Sequence, residues 1–365
     1  MRLDLFPSRT LTLYLARLFI TRIIAVLIML VLVLQMLDLL GESGAILAKP
    51  GNGEAQLWTY VTLRVPQLMA RFLPYSVLLA TLLTFWPLNQ NSEVVSMRAA
   101  GLSAHQVLAP LLLSALVVAL ISFAFNERVV TRSTATLKAW QAAEYGAVPS
   151  AGGGRANVYL RDGDNILMAS SLTGRGSEMV MTKVTWYRRD PTTMVQGQIR
   201  SPRATFAAPG WKMENAVEFD VKGAKVSQLG TVVVAPNVTP GQVAISKVDP
   251  DAENIFELTE SIAAMKAAGR RTSELEGKWW HKISGPLSAV LMPLLGSVAA
   301  FGLARSGQLL IRGVIGMALG FLYFVVDNAA IAIGNFGGYP PLIAAWTPFF
   351  LFALVGETVL VRTEE

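Results

Sequence analysis

Cysteine is absent from this chain of 365 residues, so the chain can form no disulfide, no thiolate metal site and no cysteine nucleophile. Histidine is nearly absent, since the sequence has His105 and His281 alone and they form no HExxH motif. The sequence also lacks the GxxxxGK(S/T) loop that binds nucleotide phosphates and the GxSxG motif of serine hydrolases. These absences argue against an enzyme, and we predict that this chain does not itself hydrolyse nucleotide.

Charged residues are also scarce. They make up 15% of the chain, whereas about 25% is usual for a soluble protein. Hydrophobic residues make up 53% and are concentrated at the two ends of the chain, while the middle has the composition of a water-soluble protein. The net charge of +6 is not accompanied by the interleaved basic and aromatic residues typical of nucleic-acid binding. The composition predicts a membrane protein with a large hydrophilic insertion and no nucleic-acid partner.

Six apolar stretches are long enough to cross a bilayer, which requires about 20 residues in a helix. The first is too long for the apolar region of a signal peptide and has no small-residue cleavage site, so we expect it to be retained. Three stretches precede the hydrophilic insertion and three follow it. We predict the spans at residues 15–39, 66–88, 105–125, 283–304, 309–333 and 342–361.

The orientation follows from the basic residues in short loops, which are more frequent on the cytoplasmic side. The loops of the other side carry Lys49, and the loop 334–341 has no charge. We therefore predict a multi-pass protein of the cytoplasmic membrane, with both termini in the cytoplasm and residues 127–275 outside. The basic residues that define the cytoplasmic side are Arg2, Arg9, Arg17, Arg98, Arg305, Arg312 and Arg362.

The hydrophilic insertion begins as a helix that prolongs the third span, and it continues as short strands separated by turns. The sequence VYLRDGDNILMASS predicts a hairpin around Asp162 and Gly163, because Asp-Gly suits the turns that match the twist of paired strands. Further strands at similar spacing predict an antiparallel β-domain of about 100 residues. Its edges are either covered or used for docking. A helix with Asp251 or Asn254 as its N-cap then leads back to the membrane.

Several ionisable residues lie at or near the depth of the membrane, where such groups usually face a cavity or the interior of a helix bundle. They also have structural explanations: an interhelical hydrogen bond for Asp327, snorkelling for Lys282, and a solvated helix face for the basic stripe after span 3. A vestibule of basic residues would instead suit an anionic substrate that carries phosphate. The residues are Asp38, Arg64, Arg71, Arg128, Arg132, Lys138, Lys282 and Asp327.

Gly316 and Gly320 form a GxxxG motif in the fifth span. Small residues at this spacing let two helix backbones approach closely. The motif permits packing within the chain or against another chain.

A short polar stretch, NSEVVSMRAAGLSAHQVLAP at residues 91–110, separates the second span from the third. Ser92 and Glu93 favour the start of a helix over 91–100, and Gly101 is typical of the residue that follows a helix. A short, partly apolar helix on the cytoplasmic face could insert into a groove of a partner protein. It could also lie flat on the membrane surface.

The segment SEVVSMRAAGLS resembles the coupling helix of the LptF/LptG family of lipopolysaccharide export permeases. Four further segments are similar to that family in the same order: VDPDAENI, EGKWWHKISGPLSAVLMPLL, GFLYFVVDN and GGYPPLIAAWTP. The resemblance covers essentially the whole chain. The segment WWHKISGPLS and the surroundings of Asp327 look closer to the G type than to the F type.

The resemblance implies a membrane α-helical fold of six transmembrane helices, three before and three after an inserted periplasmic antiparallel β-jellyroll. Residues 1–126 would form spans 1–3 with a coupling helix at 90–102, residues 127–274 the jellyroll with its flanking helices, and residues 275–365 spans 4–6. The family's G-type and F-type permeases pair as a heterodimer on two copies of a cytoplasmic ATP-binding subunit. The complex extracts lipopolysaccharide from the inner membrane and passes it to periplasmic jellyroll proteins that lead to the outer membrane. ATP and magnesium would bind the partner, and this chain would hold no cofactor.

The resemblance also implies roles for individual residues. Gly316 and Gly320 would face the partner permease, and the ionisable residues near the membrane would line the lipid cavity. Gln35 is neutral where a lysine would be expected in a strong phosphate site. Two alternatives are a permease of another outward lipid or lipoprotein exporter and a membrane-anchored periplasmic scaffold without a transport role. The residues that would belong to the element docking on the ATP-binding subunit are Glu93, Met97, Arg98, Ala99 and Gly101.

Overall fold

The computed structural model describes residues 7–146, 148, 155–174, 178–192, 194–241, 243, 248–297 and 308–362. The helices are α1 (Arg9–Leu47), α2 (Glu54–Gln90), α3 (Glu93–Ala99), α4 (Ala104–Phe125), a π-helix (Asn126–Val130), α5 (Thr131–Ala142), α6 (Ile255–Ala267), α7 (Ser273–Ser297), α8 (Gln308–Asn335) and α9 (Pro341–Arg362). The strands are β1 (Arg155–Asp162), β2 (Asn165–Thr173), β3 (Val180–Arg189), β4 (Val195–Ala207), β5 (Gly210–Asp220) and β6 (Lys225–Val234).

Five helices among the described residues are long and apolar enough to cross a membrane. They are α1, α2, the continuous helix Ala104–Ala142, the segment Gly313–Asn335 of α8, and α9. They correspond to the predicted spans 1, 2, 3, 5 and 6. The predicted fourth span, 283–304, coincides with α7 as far as Ser297, and its remaining residues lie outside the described part of the chain. The six-span count therefore stays a prediction.

The chain divides into two compact units. The first takes its residues from Met1–Leu37, Gln67–Glu127 and Arg271–Glu365, and the second from Asp38–Pro66 and Arg128–Arg270. The sequence prediction grouped Asp38–Pro66 with the membrane spans. In the structure this segment belongs to the same unit as the β-sheet.

The first unit has a core in which α7 is the most deeply buried helix. Its residues Ala289, Met292 and Leu295 are fully buried. Gly296 permits a close approach, because a Cβ at this position would lie 2.6 Å from Thr81 Cγ2. By contrast, α1, α8 and α9 expose many large apolar side chains, as expected for helices whose outer faces meet lipid or another membrane helix.

The second unit is built on a six-stranded antiparallel sheet in which the strands lie side by side in chain order. The predicted hairpin is confirmed, since Asp162 pairs with Asn165 around a turn in which Gly163 has a φ of 61°. The buried face carries Val158, Leu167 and Trp211, all fully buried. The antiparallel β-domain is thus confirmed. The described strands form a sequential meander, and the jellyroll connectivity stays a prediction.

Helix α6 begins as the sequence predicted, with one of the two suggested caps. The side chain of Asn254 accepts hydrogen bonds from the backbone of Phe256 and Glu257, and Glu257 in turn accepts one from the backbone of Asn254. This reciprocal capping box satisfies donors that the helix itself cannot satisfy. Asn254 is therefore the N-cap, and Asp251 precedes it in a turn.

Candidate functional site

Helix α3 joins α2 to α4 and has a sharply defined end. Its last turn closes with hydrogen bonds from the backbone of Gly101 to Arg98 O at 2.9 Å and from Leu102 to Met97 O at 3.2 Å. This pattern is a Schellman motif, which needs a residue in the left-handed conformation. Gly101 supplies it with a φ of 89°. The predicted helix and its glycine stop are confirmed, although the helix begins at Glu93 and Ser92 forms no side-chain cap.

The two faces of α3 differ in burial. Val94 and Met97 are buried in the main hydrophobic core of the first unit, and they anchor the helix there. The side chains of Val95, Arg98 and Ala99 are exposed. Met97, which the family resemblance includes in the docking element, therefore lies in the core of the chain and holds α3 in place. The exposed residues of that element are Arg98, Ala99 and Gly101, while Glu93 is partly buried.

Two polar contacts connect the flanks of α3 to other helices. The hydroxyl of Tyr14 in α1 donates a hydrogen bond to Glu93 Oε2 at 3.2 Å. On the other flank, His105 in the first turn of α4 places its Nε2 2.7 Å from Glu357 Oε1 in α9. Both side chains of this second pair are about half exposed. Glu93 of α3 is thereby in polar contact with α1, and the first turn of α4 is in polar contact with α9.

Asp38 and Arg64, both predicted to face a lipid cavity, bind each other. Arg64 Nε lies 2.9 Å from Asp38 Oδ2 and its Nη2 lies 2.9 Å from Oδ1, which is the strong bidentate geometry of a guanidinium and a carboxylate. Tyr60 also donates its hydroxyl proton to Asp38 Oδ2. The charge of Arg64 is therefore compensated within the second unit.

Two lysines in the predicted ligand set are compensated in the same way. Lys138 Nζ lies 2.6 Å from Asp249 Oδ2. Lys282 Nζ lies 3.3 Å from Glu127 Oε1, and the exposed fractions of these two side chains are 8% and 12%. Lys282 is thus a buried ion-pair partner of the π-helix, and the sequence-based suggestion that it snorkels to the surface is not what the structure shows.

The remaining three arginines of the predicted set are exposed. Arg71 lies beside the ring of Phe72, with its Cζ 6.0 Å from the ring centroid. Arg128 belongs to the π-helix and Arg132 follows it in α5. Within the described ranges none of the three forms an ion pair with a carboxylate.

Asp327 lies in α8 with an exposure of 5%. Its Oδ2 is 3.9 Å from His281 Nε2 in α7, which is longer than a direct hydrogen bond. Among the described residues, Asp327 Oδ1 has no hydrogen-bond partner. Gln35 is similar, because its buried amide also finds no partner in the described part of the chain. Both residues therefore place buried polar atoms in the first unit that have no hydrogen-bond partner among the described residues.

A smaller polar cluster in the second unit joins α1 to the segment after α5. Tyr145 donates its hydroxyl proton to Glu42 Oε2 at 2.5 Å. Burial and then this hydrogen bond raise the pKa of Tyr145 to about 12, because both disfavour the phenolate. The amide of Asn52 donates to Tyr145 O at 2.8 Å and to Ile46 O at 2.9 Å. The cluster serves to fix the local fold.

The GxxxG motif of α8 packs within the chain at one of its two glycines. A Cβ on Gly320 would overlap the side chain of Leu78 in α2. Gly316 is also buried. For Gly320 the structure thus supports packing within the chain, whereas the family resemblance placed it at the partner permease.

Comparison with known proteins identifies the family. The family model for the lipopolysaccharide export system permease LptF/LptG matches residues 13–362. The chain belongs to the LptF/LptG family. The resemblance to this family, seen in the α3 segment and in four further segments, is therefore confirmed. Its members are permease subunits in lipopolysaccharide export.

The curated relatives are of the G type. The lipopolysaccharide export system permease protein LptG of Escherichia coli (strain K12) is 27% identical over 309 residues, which cover 83% of this chain and 84% of that protein. The LptG of Haemophilus influenzae is 22% identical over 324 residues, covering 86% of this chain and 89% of that protein. The chain is thus LptG-like along most of its length.

Sequence reasoning did not identify the partners of the candidate residues. It named Glu93, Lys282 and Lys138 but not Tyr14, Glu127 or Asp249, which contact them. Glu127 carried a weak indication, because it is an acidic residue at the end of an apolar span. Tyr14 carried none, since an isolated tyrosine near a membrane boundary is common.

Proposed function

We propose that this chain is the G-type permease subunit of an ATP-driven exporter. The exporter extracts lipopolysaccharide from the inner membrane and passes it to periplasmic jellyroll proteins that lead to the outer membrane. The family match over residues 13–362 carries this proposal. The partners would be an F-type permease, a dimer of cytoplasmic ATP-binding subunits that hold ATP and magnesium, and the periplasmic bridge.

Helix α3 is the proposed contact with the ATP-binding subunit. Its inner face is fixed in the core by Val94 and Met97, while Arg98 and Ala99 are exposed and Glu93 is partly buried. A short helix that is held firmly on one side can transmit a displacement to the helices on either side of it. Because Gly101 ends the helix at a defined point, this displacement would pass directly into α4.

The proposed contacts with the phosphate groups of the lipid are Arg71, Arg128 and Arg132. These residues are exposed and have no carboxylate partner among the described residues. Guanidinium groups bind phosphate oxygens in bidentate fashion. The other basic members of the predicted set, Arg64, Lys138 and Lys282, form ion pairs with acidic residues of the chain. We assign these three residues and Asp38 a structural role.

Helix α8 is the proposed contact with the F-type permease, through a face other than the one that holds Gly320. Val314, Phe321 and Val325 have exposures of 50% or more and recur at spacings of seven and four residues along the helix. Side chains at such spacings lie on one side of a helix. This side would be covered by the partner permease.

The proposed mechanism is mechanical. ATP binding would bring the two ATP-binding subunits together, and α3 would convert this closure into a rearrangement of the spans around the lipid. A ligand shifts a conformational equilibrium only by its difference in affinity for the two states. Nucleotide bound to the partner would supply this difference, and the permease would transmit it.

Affinity purification through a C-terminal tag on this chain tests the proposal. We expect membranes solubilised in mild detergent to yield a soluble ATP-binding subunit and a second six-span permease, both identified by mass spectrometry. A chain that is recovered alone, under conditions that preserve other membrane complexes, would favour the membrane-anchored scaffold instead.

A further inference from the structure

The side chain of Tyr14 is placed to hold the carboxylate of Glu93. Its hydroxyl donates to Glu93 Oε2 at 3.2 Å across 79 positions of the sequence. The other carboxylate oxygen, Oε1, forms no hydrogen bond with the described residues. Tyr14 is about half exposed, so the contact lies at the accessible surface of the chain. One oxygen of Glu93 is thus held by α1, and the other is available.

The backbone on both sides of this hydrogen bond is anchored. Val94 and Met97 of α3 and Leu15 of α1 belong to one buried hydrophobic cluster, so each helix is held in the core of the first unit. A glutamate side chain nevertheless has three rotatable bonds, and ordering it on binding would cost conformational entropy. The hydrogen bond from Tyr14 removes part of this cost before a partner arrives. Such preorganisation increases affinity without a new contact to the partner.

We infer that Tyr14 is a positioning residue for the coupling site. Its hydroxyl occupies Glu93 Oε2 and orients Oε1 toward a hydrogen-bond donor of the ATP-binding subunit. The two contacts do not compete, because an ionised carboxylate accepts several hydrogen bonds. The inference rests on the proposed function, in which Glu93 contacts that subunit. It adds that α1 takes part in the site although α1 is not adjacent to α3 in the sequence.

A double-mutant cycle on the full-length permease complex tests the inference. The apparent Kd of the ATP-binding subunit for the detergent-solubilised permease would be measured for Tyr14→Phe, Glu93→Gln and the two substitutions together. Phenylalanine keeps the ring and removes the hydroxyl. The matched control is Tyr159→Phe, which removes the hydroxyl of an exposed tyrosine in β1. The thermal unfolding midpoint of each variant shows whether the fold is retained.

We expect Tyr14→Phe to raise the apparent Kd about three- to tenfold, since it removes one hydrogen bond to a charged group at a partly exposed site. Tyr159→Phe should leave the Kd unchanged. Tyr14→Phe made in the Glu93→Gln background should add little, because the two residues act through one contact. Unfolding midpoints should match the wild type.

Three results would overturn the inference. One is an unchanged Kd for Tyr14→Phe while Glu93→Gln binds weakly, which would leave the proposed role of Glu93 intact. Another is an equal loss from Tyr14→Phe with and without Glu93→Gln, because Tyr14 would then act independently of Glu93. The third is a wild-type Kd for Glu93→Gln itself, which would remove the proposed docking role of Glu93 as well.

Discussion

Several basic residues that the sequence offers as ligands form ion pairs within the chain instead. Of the six basic residues that the sequence offered as phosphate ligands, Arg64, Lys138 and Lys282 each bind a carboxylate of the same chain. A buried charge is costly unless it is paired, so breaking the buried pair of Lys282 and Glu127 should destabilise the chain. The basic residues that pair with a carboxylate support the fold. Those without a carboxylate partner among the described residues are the candidates for binding the cargo.

The pair of Lys282 and Glu127 is expected to be important for stability. Lys282→Ala should lower the free energy of unfolding by about 3 kcal/mol, because it removes one partner of a largely buried ion pair. The more exposed Lys138 is the matched control, and Lys138→Ala should cost at most about 1 kcal/mol. Unfolding of the purified chain in detergent measures both. Exchanging the pair, with Lys282→Glu and Glu127→Lys together, should recover part of the loss, and equal effects of the two alanine variants would contradict the assignment.

Asp327 is expected to matter through its buried carboxyl group. Asp327→Asn keeps the size of the side chain but removes the acid whose Oδ2 lies 3.9 Å from His281 Nε2, between α7 and α8. We expect lower assembly or lower export, measured as poorer growth of a strain that depends on this permease. Asp164→Asn, at an exposed turn of the sheet, should grow normally. Wild-type growth of the Asp327→Asn strain would make this carboxylate incidental.

Among the elements, α8 presents different faces to different neighbours. The face with Gly320 meets Leu78, whose exposure is 3%, while the face with Phe321 is exposed. The sequence motif alone could not assign these faces, because GxxxG describes a helix surface and not the partner that covers it.

Substitution of the glycines in α8 tests this assignment. Gly320→Ala should destabilise the chain by about 1–3 kcal/mol, because the new methyl group overlaps a buried leucine that has little room to move. Gly313→Ala is the control: its Cβ would be 3.7 Å from the nearest heavy atom outside the helix, Trp86 Cζ3, and alanine favours the helix. Thermal unfolding in detergent compares them. If both substitutions stabilise the chain equally, α8 and α2 are not in close contact at Gly320.

For the whole molecule, the proposed docking of α3 predicts that one substitution can block assembly with the ATP-binding subunit without affecting insertion of the chain into the membrane. Glu93→Lys should abolish export and weaken retention of the ATP-binding subunit, because it reverses the charge that the partner meets. The chain itself should insert normally, since Val94 and Met97 remain in the core. Copurification with the tagged variant and its level in membranes measure the two effects. Normal copurification from the Glu93→Lys variant would contradict the docking role of α3.

The sequence predicted those features that depend on local chemistry. Asp162 and Gly163 predicted the hairpin, Asn254 was one of the two predicted caps of α6, and Gly101 predicted the end of α3. The contacts of Tyr14 with Glu93 and of Glu127 with Lys282 join residues 79 and 155 positions apart. No local pattern encodes such pairs, because they form only after the helices pack. The family, in contrast, is recognisable from the α3 segment and four further sequence segments, none of which depends on knowing how the helices pack.

The chain order of the six strands has a consequence for biosynthesis. Each strand pairs with the strand made immediately before it, so the sheet has no step that must wait for a distant partner. Loops between neighbouring strands close with little entropy loss, and sheets of this kind have low contact order. The sheet can therefore form hairpin by hairpin while the ribosome is still synthesising α7 to α9. The edge that the next strand will cover is then unpaired only until that strand emerges, which limits mispairing between nascent copies of the chain.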